Sequence, residues 1–338
     1  MKALKILFAA MILICGVMLT GCGSSADENA PKTVALCFPG GSGNWERNGN
    51  ALKSSLEEEG FKVDVQFAGN VSEQQAQIKD TISKKPNCLV IGAVDSAALV
   101  EVLADAKSAN IPVVAFDRLI MNTDAVSYYA SFDNDAVGEA QGLYFESALN
   151  LRGSGGPYNI ELFAGDPGDN NAHVFFDSAM KIIQPYITQG KLICRSRQSD
   201  FNSVAVKDWN PDNARTRIRD LLNRYYVGET LHVVLCPNDD VAGAIIEEFQ
   251  KAGRPAPIIS GQDGTKAAIE RVRNGQQTFT INKDAAELNA KCVRMIKAVV
   301  EGTEPNINDV TTYNNGVIVV PAYLCTPLIV DSTNVKDF

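Results

Sequence analysis

The sequence predicts an α/β protein: two doubly wound parallel-sheet lobes joined by a three-segment hinge. Three observations predict it. Short apolar runs without polar alternation, such as Val113-Val114-Ala115-Phe116, alternate with amphipathic stretches along most of the chain. Such runs suit strands buried on both faces of a parallel sheet, with right-handed helical crossovers between them. The same strand–loop–helix order restarts after Arg152-Gly-Ser-Gly-Gly-Pro157, the one clear break in composition. Finally, a helix and a strand are left over near the C-terminus, and they are best placed by a chain that crosses between the halves three times.

The first 22 residues are expected to be a leader. Met1-Lys2-Ala3-Leu4-Lys5 is basic, Ile6 to Leu19 is apolar but too short to span a bilayer, and Leu19-Thr20-Gly21-Cys22 follows. That ending resembles a bacterial lipobox, which implies cleavage before Cys22 and a diacylglyceryl anchor on it; two acyl chains are enough for stable attachment. Residues 23–32 are small and polar, suiting a tether. The mature protein is therefore expected to be exported and held at the outer face of a membrane.

The first lobe is assigned to 33–150 plus 284–313. Thr33–Phe38 reads as a strand ending in a Gly-rich loop, with a helix from Trp45 to Glu59 stopped by Gly60. Lys62–Phe67 alternates and has one more polar face. Ser72–Ser83 is helical, Cys88–Ile91 a strand, Ala97–Ser108 a helix, 113–116 a strand, Tyr128–Ser131 a strand and Ala136–Leu149 a helix. The second lobe is assigned to 157–281 plus 317–338. Its strands are Tyr158–Phe163, Leu192–Ser196, His232–Cys236, Ile258–Gly261 and Thr278–Ile281; its helices are Ala172–Tyr186, Asp212–Tyr225, Val241–Lys251 and Lys266–Asn274. Ala285–Glu301, stopped by Gly302, returns the chain to lobe one, and Val317–Pro321 reads as a last strand in lobe two.

Ligands of open parallel sheets sit outside the carboxyl ends of the strands. Collecting the residues there gives Asn44 and Trp45, Asp117 and Arg118, Asp169 and Asn171, Asn238, Asp263 and Lys283, with Trp209 before a helix start. Both tryptophans of the chain are in this set. Carboxylates, amides and two cations converging with aromatic faces is chemistry suited to vicinal hydroxyls and to the apolar face of a sugar ring. Taken singly, each member has a plainer role. Asp169-Asn170-Asn171 and Asp239-Asp240 can be helix caps, and Trp209 can be core.

Other functions find little support. A net charge of -9 argues against nucleic acid. There is no G-x-S-x-G elbow, P-loop or ordered G-x-G-x-x-G, and no histidine beside a nucleophile. Asp133-Asn-Asp135 suggests a calcium loop, but Val137 stands at the fifth position. Six cysteines beyond the leader (Cys37, Cys88, Cys194, Cys236, Cys292, Cys325) are scattered singly and form no zinc pattern, so no metal or cofactor is expected.

Several stretches carry a family resemblance: Ala115-Phe-Asp-Arg-Leu-Ile120, Tyr128-Tyr-Ala-Ser-Phe-Asp133, Asn159–Phe163 running into Asp169–Ala172, Ser260-Gly-Gln-Asp263, Lys283-Asp284, Tyr313–Val317 and Pro321–Leu324. The chain resembles the sugar-binding lipoproteins of ABC transporters, of the type I periplasmic-binding-protein fold, and is most similar to the multiple-sugar and xylose-binding group. The resemblance implies a monomeric clamp that closes on one monosaccharide and delivers it to a membrane permease, without catalysis. It also implies that Trp45 and Trp209 stack on the sugar, that Asp117, Arg118, Asp169, Asn171, Asn238 and Asp263 bind its oxygens, and that Lys283 reaches it from the hinge. Asn44 stands where close relatives carry a basic residue, with Arg47 nearby, which leaves the sugar open. Export excludes a repressor of the same fold; a receptor presenting sugar to a membrane histidine kinase or chemoreceptor remains the alternative.

Overall fold

The computed structural model describes residues 31–338 other than Ser42. The expected leader, the anchor Cys22 and the tether up to residue 30 lie outside the described residues.

The first sheet is built from β1 (Thr33–Pro39), β2 (Lys62–Ala68), β3 (Cys88–Ile91), β4 (Val113–Phe116) and β5 (Val126–Phe132), joined by α1 (Gly43–Glu58), α2 (Val71–Ser83) and α3 (Val100–Ser108). With β11 (Ala322–Cys325) added from the end of the chain, its order is β11-β5-β4-β3-β1-β2 and every pairing is parallel. Every residue of β3 and β4 is buried, as their unbroken apolar runs predict, whereas the edge strand β2 exposes Lys62 and Asp64. Ala35, Cys37, Leu89 and Ile91 face α2 and α3. Val34, Leu36, Phe38 and Val90 face α1 and a later helix, α10 (Ala285–Glu301). That inside-outside alternation is the pleat of a sheet covered on both sides.

The second lobe follows with α4 (Asn134–Ala148), β6 (Tyr158–Leu162), α5 (Asn170–Thr188), β7 (Leu192–Ile193), the single turn α6 (Phe201–Val204), α7 (Pro211–Tyr225), β8 (Val233–Leu235), α8 (Asp239–Lys251), β9 (Ile258–Ile259), α9 (Lys266–Arg273) and β10 (Phe279–Asn282). Its parallel order is β7-β6-β8-β9. β10 continues it through backbone bonds from Ile281 to Gly261 (3.1 Å) and from Asp263 to Ile281 (2.8 Å). The chain ends with α10 (Ala285–Glu301), β11 (Ala322–Cys325) and β12 (Leu328–Asp331).

Three boundaries differ from the sequence reading. Although placed with lobe one, α4 buries Val137, Phe145 and Leu149 among Ile160, Leu162, Phe175 and Phe176 of lobe two. The contact is close because Gly138 and Gly142 present bare backbone: a Cβ on Gly138 would lie 2.0 Å from the Phe175 carbonyl oxygen. The first crossing is therefore at Phe132-Asp133, and the Gly-rich stretch 152–157 is a loop within lobe two. The strand expected at Val317–Pro321, with 317–338 given to lobe two, is also displaced. Val317 and Val319 are exposed, and the strand forms at β11, parallel to β5 in lobe one. The chain crosses after Cys325, and β12 pairs antiparallel with β10, the one departure from all-parallel sheets. The three crossings lie side by side, with Asp133 N–H donating to the Cys325 carbonyl (3.1 Å). All six cysteines are free, five of them buried as small hydrophobes.

Candidate functional site

The carboxyl ends of the strands from both lobes face one cavity of about 800 Å³. All ten residues singled out from the sequence line it: Asn44, Trp45, Asp117, Arg118, Asp169, Asn171, Trp209, Asn238, Asp263 and Lys283.

Trp45 stands in the first turn of α1, after the Gly-rich loop. Its indole packs on Phe38 and Phe116 (centroids 5.7 and 6.4 Å), and the Arg118 guanidinium lies 5.4 Å from its ring centre. Asn44 is exposed, and its side-chain oxygen accepts from Arg47.

Asp117 follows β4 directly with φ 63°, a left-handed conformation that a short Asp side chain tolerates. Surroundings hold it there. Its N–H donates to Ala130 (2.8 Å), and its carbonyl accepts from Tyr129 Oη, Ser131 Oγ and Asn171 Nδ2, each at 2.7 Å. Its carboxylate makes no hydrogen bond or ion pair among the described residues. Arg118 is nearly buried: Nη1 donates to the Ala93 and Val94 carbonyls, and Nε lies 2.8 Å from Asp169 Oδ2. That last contact is an ion pair off the N–H axis, not a well-directed hydrogen bond.

Asp169 also caps α5, accepting from Asn171 N–H at 3.0 Å. Burial raises its pKa, against the pull of Arg118. Asp169 and Asn171 were expected to bind ligand, and the structure shows both already bonded to lobe one. Ser96, which the sequence gave no reason to choose, adds to the same seam: its N–H donates to the Gly168 carbonyl (2.8 Å) and its Oγ accepts from Asn170 N–H (3.1 Å). The lobes are thus closed on one another.

On the far wall Asn238 caps α8, accepting from Val241 N–H (3.0 Å). Asp263 sits at φ 96°, with Lys283 Nζ 3.3 Å from its Oδ1. Burial raises the Asp263 pKa while Lys283 opposes it. Burial works against the Lys283 ammonium, yet Asp263, Asp117 and Asp169 hold its pKa above the ordinary lysine value. Trp209 has φ 53°, packs 6.2 Å from Phe175, and keeps its Nε1 buried without a partner among the described residues. Strained backbone at Asp117, Asp208, Trp209 and Asp263, all lining one cavity, is the clustering expected of a ligand site.

Both buried cations of the site are paired to carboxylates, and the lining described has no histidine or cysteine. The arrangement offers hydrogen bonds and flat apolar faces. Sequence reasoning gave no ligand role to Phe116 or Phe132, although each ends a strand, nor to Gln262 beside Asp263; the buried Oε1 of Gln262 has no partner among the described residues.

Residues 34–304 match the periplasmic binding protein domain family. A multiple sugar-binding periplasmic protein of Azospirillum brasilense is 38% identical over 95% of this chain and 91% of its own length. A multiple sugar-binding periplasmic receptor of Rhizobium radiobacter is 38% identical over 89% of this chain and 87% of its own, and the D-xylose-binding periplasmic protein of Escherichia coli K12 is 33% identical over 87% and 84%. Among solved structures, an ABC transporter solute-binding protein from Clostridium phytofermentans with bound β-D-glucose superposes with a TM-score of 0.87. It is 40% identical, covering 90% of this chain and 96% of that one.

Proposed function

The chain belongs to the periplasmic binding protein domain family, and we propose that it captures one monosaccharide, a pentose or hexose, by hinge closure and delivers it to an ABC permease. One observation carries this reading: carboxylates, amides and two indoles from both lobes and the hinge meet around one cavity. The Asp117 carboxylate, the Trp209 Nε1 and the Gln262 Oε1 lack partners among the described residues and are suited to sugar hydroxyls. Trp45 and Trp209 supply the faces for the ring. A sugar between the walls adds contacts available only when the lobes meet, so it shifts the population toward the closed form.

Titration calorimetry against D-glucose, D-xylose, D-galactose and L-arabinose tests the reading. At least one is expected to bind at roughly micromolar Kd; no heat from any of them at millimolar concentration sinks it. The receptor name of the Rhizobium relative motivates a second reading, in which the closed form is presented to a membrane sensor. Deleting the protein and following sugar uptake separately from sugar-induced transcription distinguishes the two. We also propose that the protein works outside the cytoplasm, anchored through Cys22. Cys22→Ala should then release it from the membrane fraction, and an unchanged fractionation would remove the anchor from the account.

A further inference from the structure

We propose that Gly92 and Gly165 are positioning residues that set the pitch of the two cleft indoles, and with it the width of the slot between them. The inference rests on the monosaccharide reading and adds to it what determines fit.

Each lobe has one indole lying against one glycine. A Cβ on Gly92, just beyond β3, would fall 2.5 Å from Trp45 Cζ3 and 2.8 Å from its Cη2. A Cβ on Gly165, just beyond β6, would fall 2.2 Å from Trp209 Cη2 and 2.5 Å from its Cζ2. Carbon atoms pack at about 3.5–4.0 Å, so a single methyl would drive either ring ~1 Å away from its support. Both rings line the cavity, so that displacement narrows the space left for a ligand.

Backbone conformation does not account for these glycines. Neither has a positive φ, whereas Gly264 in the neighbouring loop has φ 61° and Gly316 has φ 93°. Alanine fits the backbone at 92 and 165; what it lacks is room beneath an indole. The same device occurs in both lobes on unrelated local sequence, Ile91-Gly92-Ala93 and Ala164-Gly165-Asp166. Gly165 has a second neighbour at 2.8 Å, Ala172 Cβ, whereas the second neighbour of Gly92, Phe38 Cδ1, lies at 3.2 Å, so Gly92 is the cleaner site to test.

The test is a cycle of Gly92→Ala and Trp45→Phe, with calorimetric binding of D-glucose and D-xylose to the wild type and all three variants. Gly92→Ala should lower affinity roughly tenfold or more, and more for glucose, which carries an extra hydroxymethyl group. In the Trp45→Phe background, where the smaller ring leaves room for the methyl, adding Gly92→Ala should change affinity by no more than about threefold. Wild-type affinity in Gly92→Ala, or an equal loss with and without the indole, overturns the proposal. If the wild type binds neither sugar, the monosaccharide reading fails, and the positioning role is still decided by fluorescence. With Trp209→Phe, Trp45 is the sole tryptophan. Gly92→Ala should then change its emission and acrylamide quenching, and unchanged spectra overturn the inference.

Discussion

Asp117 and Asp169 look alike in the sequence and face the same cavity from opposite lobes, yet the structure uses different parts of each. At Asp117 the backbone is engaged: its carbonyl gathers three donors and fixes the left-handed turn, leaving the carboxylate to the cavity. At Asp169 the carboxylate itself is engaged, one oxygen capping α5 and the other beside Arg118. One wall offers an acceptor to a ligand; the other closes the cleft. The residue type is the same in the two cases, but Asp117 directly follows β4 while Asp169 caps α5 beyond the loop after β6, and the jobs differ.

The largest expected effect tests the engaged carboxylate. Asp169→Ala leaves the Arg118 guanidinium, 9% exposed, without its counter-charge and removes the cap of α5. Breaking a nearly buried pair from one side, with loss of a cap, should cost about 3 kcal/mol or more in urea unfolding and abolish sugar binding. Unchanged stability would mean the ion pair across the cleft is not holding the lobes. Asp117→Asn is the counterpart. Asparagine tolerates the left-handed backbone, so unfolding free energy should stay within about 0.5 kcal/mol, while affinity falls roughly 100-fold with loss of a charge-assisted acceptor. Equal destabilisation in both variants would erase the distinction between the walls.

How much of this was legible in the sequence follows from what each signal measures. Unbroken apolar runs located the buried strands, and the residues after them do surround one cavity, because a parallel sheet places all its carboxyl ends on one side. Partner choice was not legible. The amphipathic pattern of α4 shows that it buries a face, not whose core receives it, and the Gly138/Gly142 approach to α5 decided that. Composition favoured a strand at Val317–Pro321, but pairing with β5 begins only at Ala322. Engaged atoms were not legible either: Ser96, in a loop without distinguishing composition, supplies two of the bonds between lobes.

Ser96 sharpens the comparison further, since it closes the cleft without lining it. Ser96→Ala removes the acceptor for Asn170 N–H while leaving the Gly168 bond in place. A net loss of about 1 kcal/mol in the closed state should weaken every sugar by a similar factor of roughly 5. Calorimetry across the sugar panel checks this, and a loss confined to one sugar would instead put Ser96 in contact with ligand.

The smallest expected effect contrasts the supports behind the two walls. In lobe one the loop after β3 is held by a neutral side chain, Gln74, whose amide donates to the Gly92 carbonyl (2.8 Å) and accepts from Val94 N–H (2.8 Å). In lobe two the loop carrying Asp263 is held by an ionisable one, Asp239, which accepts from Thr280 Oγ1 (2.7 Å), Gln277 Nε2 (3.0 Å) and Thr265 N–H (2.8 Å). Burial, with the charge of Asp263, raises the Asp239 pKa to about 7 from an ordinary 3.8. Between those values the native state retains a proton that the unfolded chain has released. Its contribution to stability is therefore full below 3.8 and lost as pH rises through about 7. Raised pKa values at Asp169 and Asp263 act in the same direction. Moving from pH 8 to pH 6 should stabilise the protein through Asp239 by about 1 kcal/mol. Asp239→Asn should be less stable overall, because an amide nitrogen cannot accept from Thr265 N–H, but should lose most of that pH dependence. Gln74→Glu moves an ionisable support to the other wall, and should introduce there a titrating group that the native loop support lacks. Urea unfolding at several pH values measures both, and an unchanged slope in Asp239→Asn would place the titrating group elsewhere.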